Sequence, residues 1–160
     1  MFTLHTNARF DDLERLIDKI ARMGSGESRK IADGVRQAFQ ENFTRQGSGA
    51  GRWPGLAPST VRDRRRLGFG GERPILVRRG NLRAGYIDRG SPDHHERIWQ
   101  SPVGLTIESG SADERIALLH ERGTSRMPAR SVSRLDDGQE NRLTNIIDYV
   151  IDQIERREWR

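Results

Sequence analysis

Apolar positions along the chain fall into stretches of helical spacing, separated by stretches with no period at all. Phe10, Leu13, Leu16, Ile17 and Ile20 share one helical face behind a candidate cap at Asn7. The preceding "FTLHT" run alternates apolar and polar residues, the period of a short strand. "GSGE" at 24–27 interrupts the pattern. Ile31, Val35, Ala38, Phe39 and Phe43 then resume the helical spacing, with Ser25 or Ser28 available as a cap. Two such stripes joined by a short link predict an antiparallel helix pair. The clearest stripe is Leu143, Ile146, Ile147, Val150, Ile151 and Ile154, capped by Asp136 or Asp137 and expected to lie on a sheet.

The middle of the chain has other periods. "ERIWQSPVGLTIESG" predicts a β-hairpin, with Ile98 and the Leu105/Ile107 pair alternating with polar residues and "SPVG" as the turn. "GNLRAGY" predicts a short helix at 80–85, followed by a possible strand, and "SADERIALLHERG" predicts another helix capped at Ser111. "TSRMPARSVSRL" reads as extended or a strand. From Thr44 to Pro58 the pattern dissolves into "TRQGSGAGRWPGLAP", and a short arginine-rich helix starts near Ser59 or Thr60. These patterns predict one α+β domain over 1–160, with no internal repeat. An antiparallel sheet with a β-hairpin packs against two or three amphipathic helices, and an extended, flexible Gly/Pro/Arg-rich arm occupies about 44–70.

Charge sharpens the picture of the arm. The chain carries 28 Lys+Arg against 23 Asp+Glu, a net +5, and all but two of those cations are arginine. Arg52 to Arg89 holds ten arginines against Asp63, Glu72 and Asp88, or +7, which leaves 5 − 7 = −2 for the remainder. The basic character is therefore local. Cysteine is absent, which excludes disulfides, thiolate metal centres and thiol nucleophiles. No apolar run reaches the ~18–20 residues that span a bilayer, so no membrane partner is expected. "MFTLHTNARF" lacks a basic region followed by an apolar one, so no signal peptide is expected and the chain reads as intracellular, or made inside a cell.

No catalytic constellation emerges. "GSGAG" at 47–51 has neither a preceding apolar strand nor a following Gly-Lys-Ser/Thr, and reads as a linker rather than a phosphate loop. His94 and His95 are adjacent, which on a strand sends them to opposite faces, and they read as a solvated turn rather than a metal site. His120 reads as a packed or capping histidine near a helix end. The Asp136-Asp137 pair suits a helix N-terminus. No cofactor, metal or catalytic residue is assigned, and an enzyme is not expected. "RDRRR" beside Trp53 allows a second class, a basic nucleic-acid-binding protein acting in packaging or regulation.

Three segments occur in an informative order: "RWPGLAPSTVRDRR", "ILVRRGNLRAGY" and "IALLHERGTSRMPARSVSRL". Trp53, Leu56, Pro58, Ser59 and Thr60, then Ile75, Leu76, Gly80 and Leu82, then Ala117, His120, Gly123, Pro128, Ala129 and Arg130 together resemble the phage virion morphogenesis family, the tail-completion proteins of Mu-like phages. The resemblance covers roughly 30–135. It departs from the family pattern at Ile116, where tyrosine is usual, and at Ser131 and Val132, where proline and an aromatic are usual. It implies an α+β fold and a structural, non-enzymatic role in the virion, at the head–tail neck or tail terminus, after synthesis in the host cytoplasm. It also implies a homo-oligomeric ring, a hexamer being favoured. The implied partners are other phage neck and tail proteins, with genome DNA passing the lumen without specific binding. On this reading Trp53, Leu56, Arg62, Arg64, Arg65, Arg66 and Arg130 contact neighbouring subunits or neck partners, because Trp and Arg are favoured interface anchors.

Overall fold

A computed structural model describes residues 22–101 and 104–158. The strand expected at 2–6, the helix expected at 7–20 and the tip of the hairpin turn lie outside the described residues. Helix α1 spans Ser25–Arg45. Its stripe Ile31, Val35, Ala38, Phe39 and Phe43 is buried, as its spacing requires. Neither serine caps it. Gly24 holds the cap position, and Ser28 Oγ turns back to donate to the Gly24 carbonyl at 3.2 Å. The helix ends where Gln46 adopts φ 56°, ψ 46° and its N–H returns to the Asn42 carbonyl, a left-handed C-cap.

A two-residue ladder follows, β1 (Gly47–Ser48) against β2 (Gly51–Arg52). Helix α2 spans Pro58–Arg66, with its proline in the first turn, where a missing N–H costs nothing. Helix α3 spans Asn81–Ile87, and no strand follows it directly. Strands β3 (His94–Ser101) and β4 (Gly104–Ser111) form the expected hairpin, in register at Ile98↔Ile107. Helix α4 spans Glu114–Arg122, and its cap is Asp113 rather than Ser111: Asp113 Oδ1 accepts from Ile116 N at 3.0 Å. The 124–135 stretch, expected to be extended or a strand, opens as a tight turn bridged between Thr124 and Met127 and bends again at Val132 and Ser133, with no strand. Helix α5 spans Asp137–Glu158. Asp136 caps it reciprocally: Gln139 N donates to Asp136 Oδ1 at 2.8 Å and Asp136 N to Gln139 Oε1 at 3.1 Å.

The described sheets are two separate hairpins, and helices cover them. The α5 stripe therefore does not lie chiefly on a sheet. It packs along α1, where Leu143 and Ile146 crowd Gly34. Toward its C-terminal half, Val150 and Ile154 meet Ile31, Ala32 and the hairpin residue Ile107. A second cluster joins Val35, Phe39 and Phe43 of α1 to Trp53, Ile75, Tyr86, Val132, Leu135 and Leu143. Helix α3 packs on the hairpin so closely that a Cβ at Gly85 would sit 2.6 Å from the Asp93 carbonyl oxygen. Side-chain amides tie α1, α5 and the segment before α5 together beside the second cluster. Gln139 Nε2 donates to the Ala38 carbonyl and to Asn42 Oδ1, both at 3.0 Å. Asn42 Nδ2 donates to the Val132 carbonyl at 2.8 Å.

Gln139→Leu would leave the Ala38 carbonyl, the Asn42 amide oxygen and the Asp136 N–H without this partner. It is expected to cost roughly 2 kcal/mol or more in urea denaturation. Val150→Asp, which buries a charge beside Ile31, is expected to cost about 3 kcal/mol or more. Asn145→Asp on the exposed face of the same helix should leave the melting temperature close to wild type.

Candidate functional site

Where an extended arm is expected, the chain folds back on the body. Trp53 is 4% exposed, and its indole stands edge-on to Phe43 with centroids 5.5 Å apart. Its Nε1–H donates to the Ser131 carbonyl at 2.8 Å. Its backbone N–H reaches the Gln46 carbonyl at 2.9 Å. The Gln46 side chain also accepts from Ile75 N, so one residue at the end of α1 fixes both sides of the arm. The glycines here serve close approach as well as turning. A Cβ at Gly49 would lie 1.8 Å from the Leu135 carbonyl oxygen, a spacing that only glycine permits.

Arg130 closes the arm from the opposite side. It is 4% exposed, with Nε donating to Pro54 O at 2.9 Å and a terminal nitrogen to Gly55 O at 2.7 Å. Its own N–H donates to the His120 carbonyl at 2.7 Å. Arg64, 3% exposed, ties α2 to the following loop through Pro74 O at 3.0 Å and Phe69 O at 3.4 Å. Glu121 holds the bend before α5: one carboxylate oxygen accepts from Val132 N at 2.7 Å and Ser133 N at 2.9 Å. Burial, followed by the charge and hydrogen bond of Glu121, pushes the Tyr86 phenol well above its ordinary range.

These ties enclose an open groove of about 1050 Å³ between the arm, the start of α3, α4 and residues 126–130. Apolar walls come from Leu56, Leu76, Leu82, Ile116, Met127 and Pro128. Five arginines line it, at 64, 78, 79, 126 and 130, against Asp93 and Asp113. His120 lies on its wall with Nδ1 buried and unpartnered. Burial first, and then the Arg130 charge, hold the His120 imidazole below its usual range. Burial likewise lowers the affinity of the Arg130 guanidinium for its proton. A second hollow, of about 700 Å³ along α1, is walled by ion-paired side chains such as Arg36–Asp33, so its charges offset one another.

The seven residues singled out from sequence therefore separate into two sets. Trp53, Arg64 and Arg130 are buried in their own subunit, with their side-chain hydrogen bonds directed at its main chain. In this conformation they position the arm and are not free for a neighbour. Leu56 is half-buried on the groove wall. Arg62, Arg65 and Arg66 are exposed on α2, and Arg66 pairs with Asp63 at 2.8 Å. His94 and His95 do not form a solvated turn: both are in β3, and the buried His94 side chain donates from Nδ1 to Gly85 O at 2.6 Å. Among the described residues no group of three or more metal-ligating side chains converges, and no helix is long and apolar enough to cross a membrane. Gln46, Glu121 and Gln139 carry no mark in the sequence, because the main-chain partners that matter, Ile75, Val132 with Ser133, and Ala38, lie in other elements or loops. No protein-family model, curated protein or solved structure matches this chain.

Trp53→Ala removes a buried indole from the junction of two segments and should cost about 3–5 kcal/mol. Trp53→Phe, which keeps most of the apolar bulk and loses the bond to Ser131, should cost less. The His120 effect has a definite sign. Its folded pKa lies below the ordinary imidazole value near 6.5. The unfolded chain therefore binds the proton first as pH falls, and stability drops from about pH 6.5 downward until the native imidazole also protonates. Denaturation at intervals between neutral and mildly acidic pH should show this slope, reduced in His120→Gln.

Proposed function

We propose that this chain is a structural phage virion protein of the head–tail neck or tail terminus. It would act in tail completion and head–tail joining by assembling as a ring. The observation that carries this reading is how the three segments of the resemblance meet. Trp53 donates to Ser131 O, Arg130 to Pro54 and Gly55, and Ile75, Tyr86 and Val132 share the core with Trp53. The pattern's prominent polar groups, on Trp53 and Arg130, hold main chain in place, which is the work of a framework. Arg62 and Arg65 on the exposed side of α2 remain available to neighbours, with Arg66 beside them on Asp63. Their planar guanidiniums suit bidentate pairing with carboxylates across an interface.

The second reading is a basic nucleic-acid-binding protein, favoured by the exposed arginines at 62, 65, 79 and 83. Salt separates the two. Phosphate binding falls steeply as salt rises, with a slope set by the number of contacts, whereas an interface with an apolar centre survives moderate salt.

Electron microscopy of the purified protein at moderate salt should show rings, and a label on the chain should mark the neck or tail top of virions. A monomer that binds duplex DNA tightly, with a steep salt slope, would support the second reading instead. Arg65→Glu should lower ring and virion yield with an unchanged melting temperature. Arg64→Glu would break the tie to Pro74 and report on folding instead.

A further inference from the structure

Buried charge needs a counter-ion, and the groove is short of one. The Arg64 and Arg130 guanidiniums are buried and donate to carbonyl oxygens, and Arg64 Nε has no partner at all. Above them Arg79 and Arg126 are exposed and, among the described residues, have no acidic partner. The groove is apolar as well as basic. Ile116, 45% exposed, lines it, and Leu119, 40% exposed, continues the apolar face one turn along α4. An occupant must therefore bring carboxylates together with an apolar group. A phosphate backbone fits less well, because it offers nothing to the apolar wall and would meet Asp93 and Asp113.

The chain itself displays a surface of that composition. On the outer face of α5, Asp148 and Asp152 lie one turn apart, exposed and, among the described residues, without basic partners. Tyr149 projects beside them, 54% exposed, with Lys30 Nζ 5.5 Å from its ring centroid and the rest of the ring facing solvent. No residue lining the groove belongs to α1 or α5, so the acidic face and the basic groove are separate patches on one subunit.

We infer that the groove of one copy receives the Asp148–Tyr149–Asp152 face of the next, with the carboxylates meeting Arg79 and Arg126 and the tyrosine meeting Ile116 and Leu119. Such a contact is heterologous. It repeats head to tail and closes into a ring when the rotation per copy permits. The inference rests on the proposed ring and names its two mating surfaces.

Charge reversal with rescue tests it by sedimentation over a range of protein concentration. The variants are D148R/D152R, R79E/R126E and their 1:1 mixture, with D148N/D152N and R79Q/R126Q as gentler partners. All four altered positions are exposed, and melting curves check the fold. Each reversal alone is expected to weaken self-association by about tenfold or more. The mixture should regain association, because the intact groove of one variant meets the intact α5 face of the other. Variants that associate like wild type would overturn these surfaces and leave the ring reading standing. A wild-type chain that stays monomeric at every concentration would overturn the inference, with virion labelling still deciding the neck assignment. Loss of duplex DNA binding in R79E/R126E, with self-association intact, would assign the groove to nucleic acid and overturn it as well.

Discussion

The contact between Asn42 and Gln139 is the point on which the rest of the subunit is built. Both side chains are buried, and an amide buried without partners is costly. Each therefore has to find its carbonyls and oxygens at once. Gln139 caps its own helix and reaches α1, while Asn42 reaches the segment at 132–134. One small polar cluster thus sets the angle of α5, the end of α1 and the path of the chain between them. Apolar stripes alone would tolerate a slide of α5 along α1, and the amides remove that freedom. Ion pairs of Arg142 with Glu41 and Arg157 with Glu27 lie along the same seam, but the arginine of each is exposed and they add little by comparison.

From this fixed point the groove follows. Asn42 positions residues 132–134, and Glu121 holds Val132 and Ser133 from the other side. The segment so held presents the Ser131 carbonyl to Trp53 and the Arg130 guanidinium to Pro54 and Gly55. The arm is thereby folded against the body. Its basic helix stands clear on one rim, and α4 with its unburied leucines and isoleucine stands on the other. The same arginine-rich segment supplies two kinds of residue: those that hold the arm down and those left facing solvent.

Local period made much of the fold legible. The stripes of α1 and α5, the alternation at Ile98 and Ile107, and the short helix after Gly80 can each be read from a few residues, because each element buries one face. Caps were read less well. Asp113 and Gly24 took positions assigned to nearby serines, since side-chain capping competes with back-bonding such as that of Ser28. The arm was the least legible part. Glycine and proline around Trp53 suggest reach, yet glycine also allows backbone to pass within contact of backbone, as Gly49 does at Leu135. Telling the two uses apart requires the partner strand, which lies far along the chain. The division of the arginines into buried and exposed was hidden for the same reason. Arg64 and Arg65 are neighbours in sequence, and only the turn of α2 sends one inward.

The bond from Trp53 to Ser131 joins positions 78 residues apart. Ordering over such a separation requires closure of a long loop before any contact rewards it. During synthesis the Gln46–Gly55 stretch therefore lacks its Ser131 and Arg130 partners until the 130–135 segment has left the ribosome. Until then only nearby contacts, to Phe43, Gln46, Phe69 and Pro74, hold the basic segment, and the groove lacks its 126–130 wall. A surface suited to meeting other copies is thus completed late, when most of the subunit that must carry it has already been made.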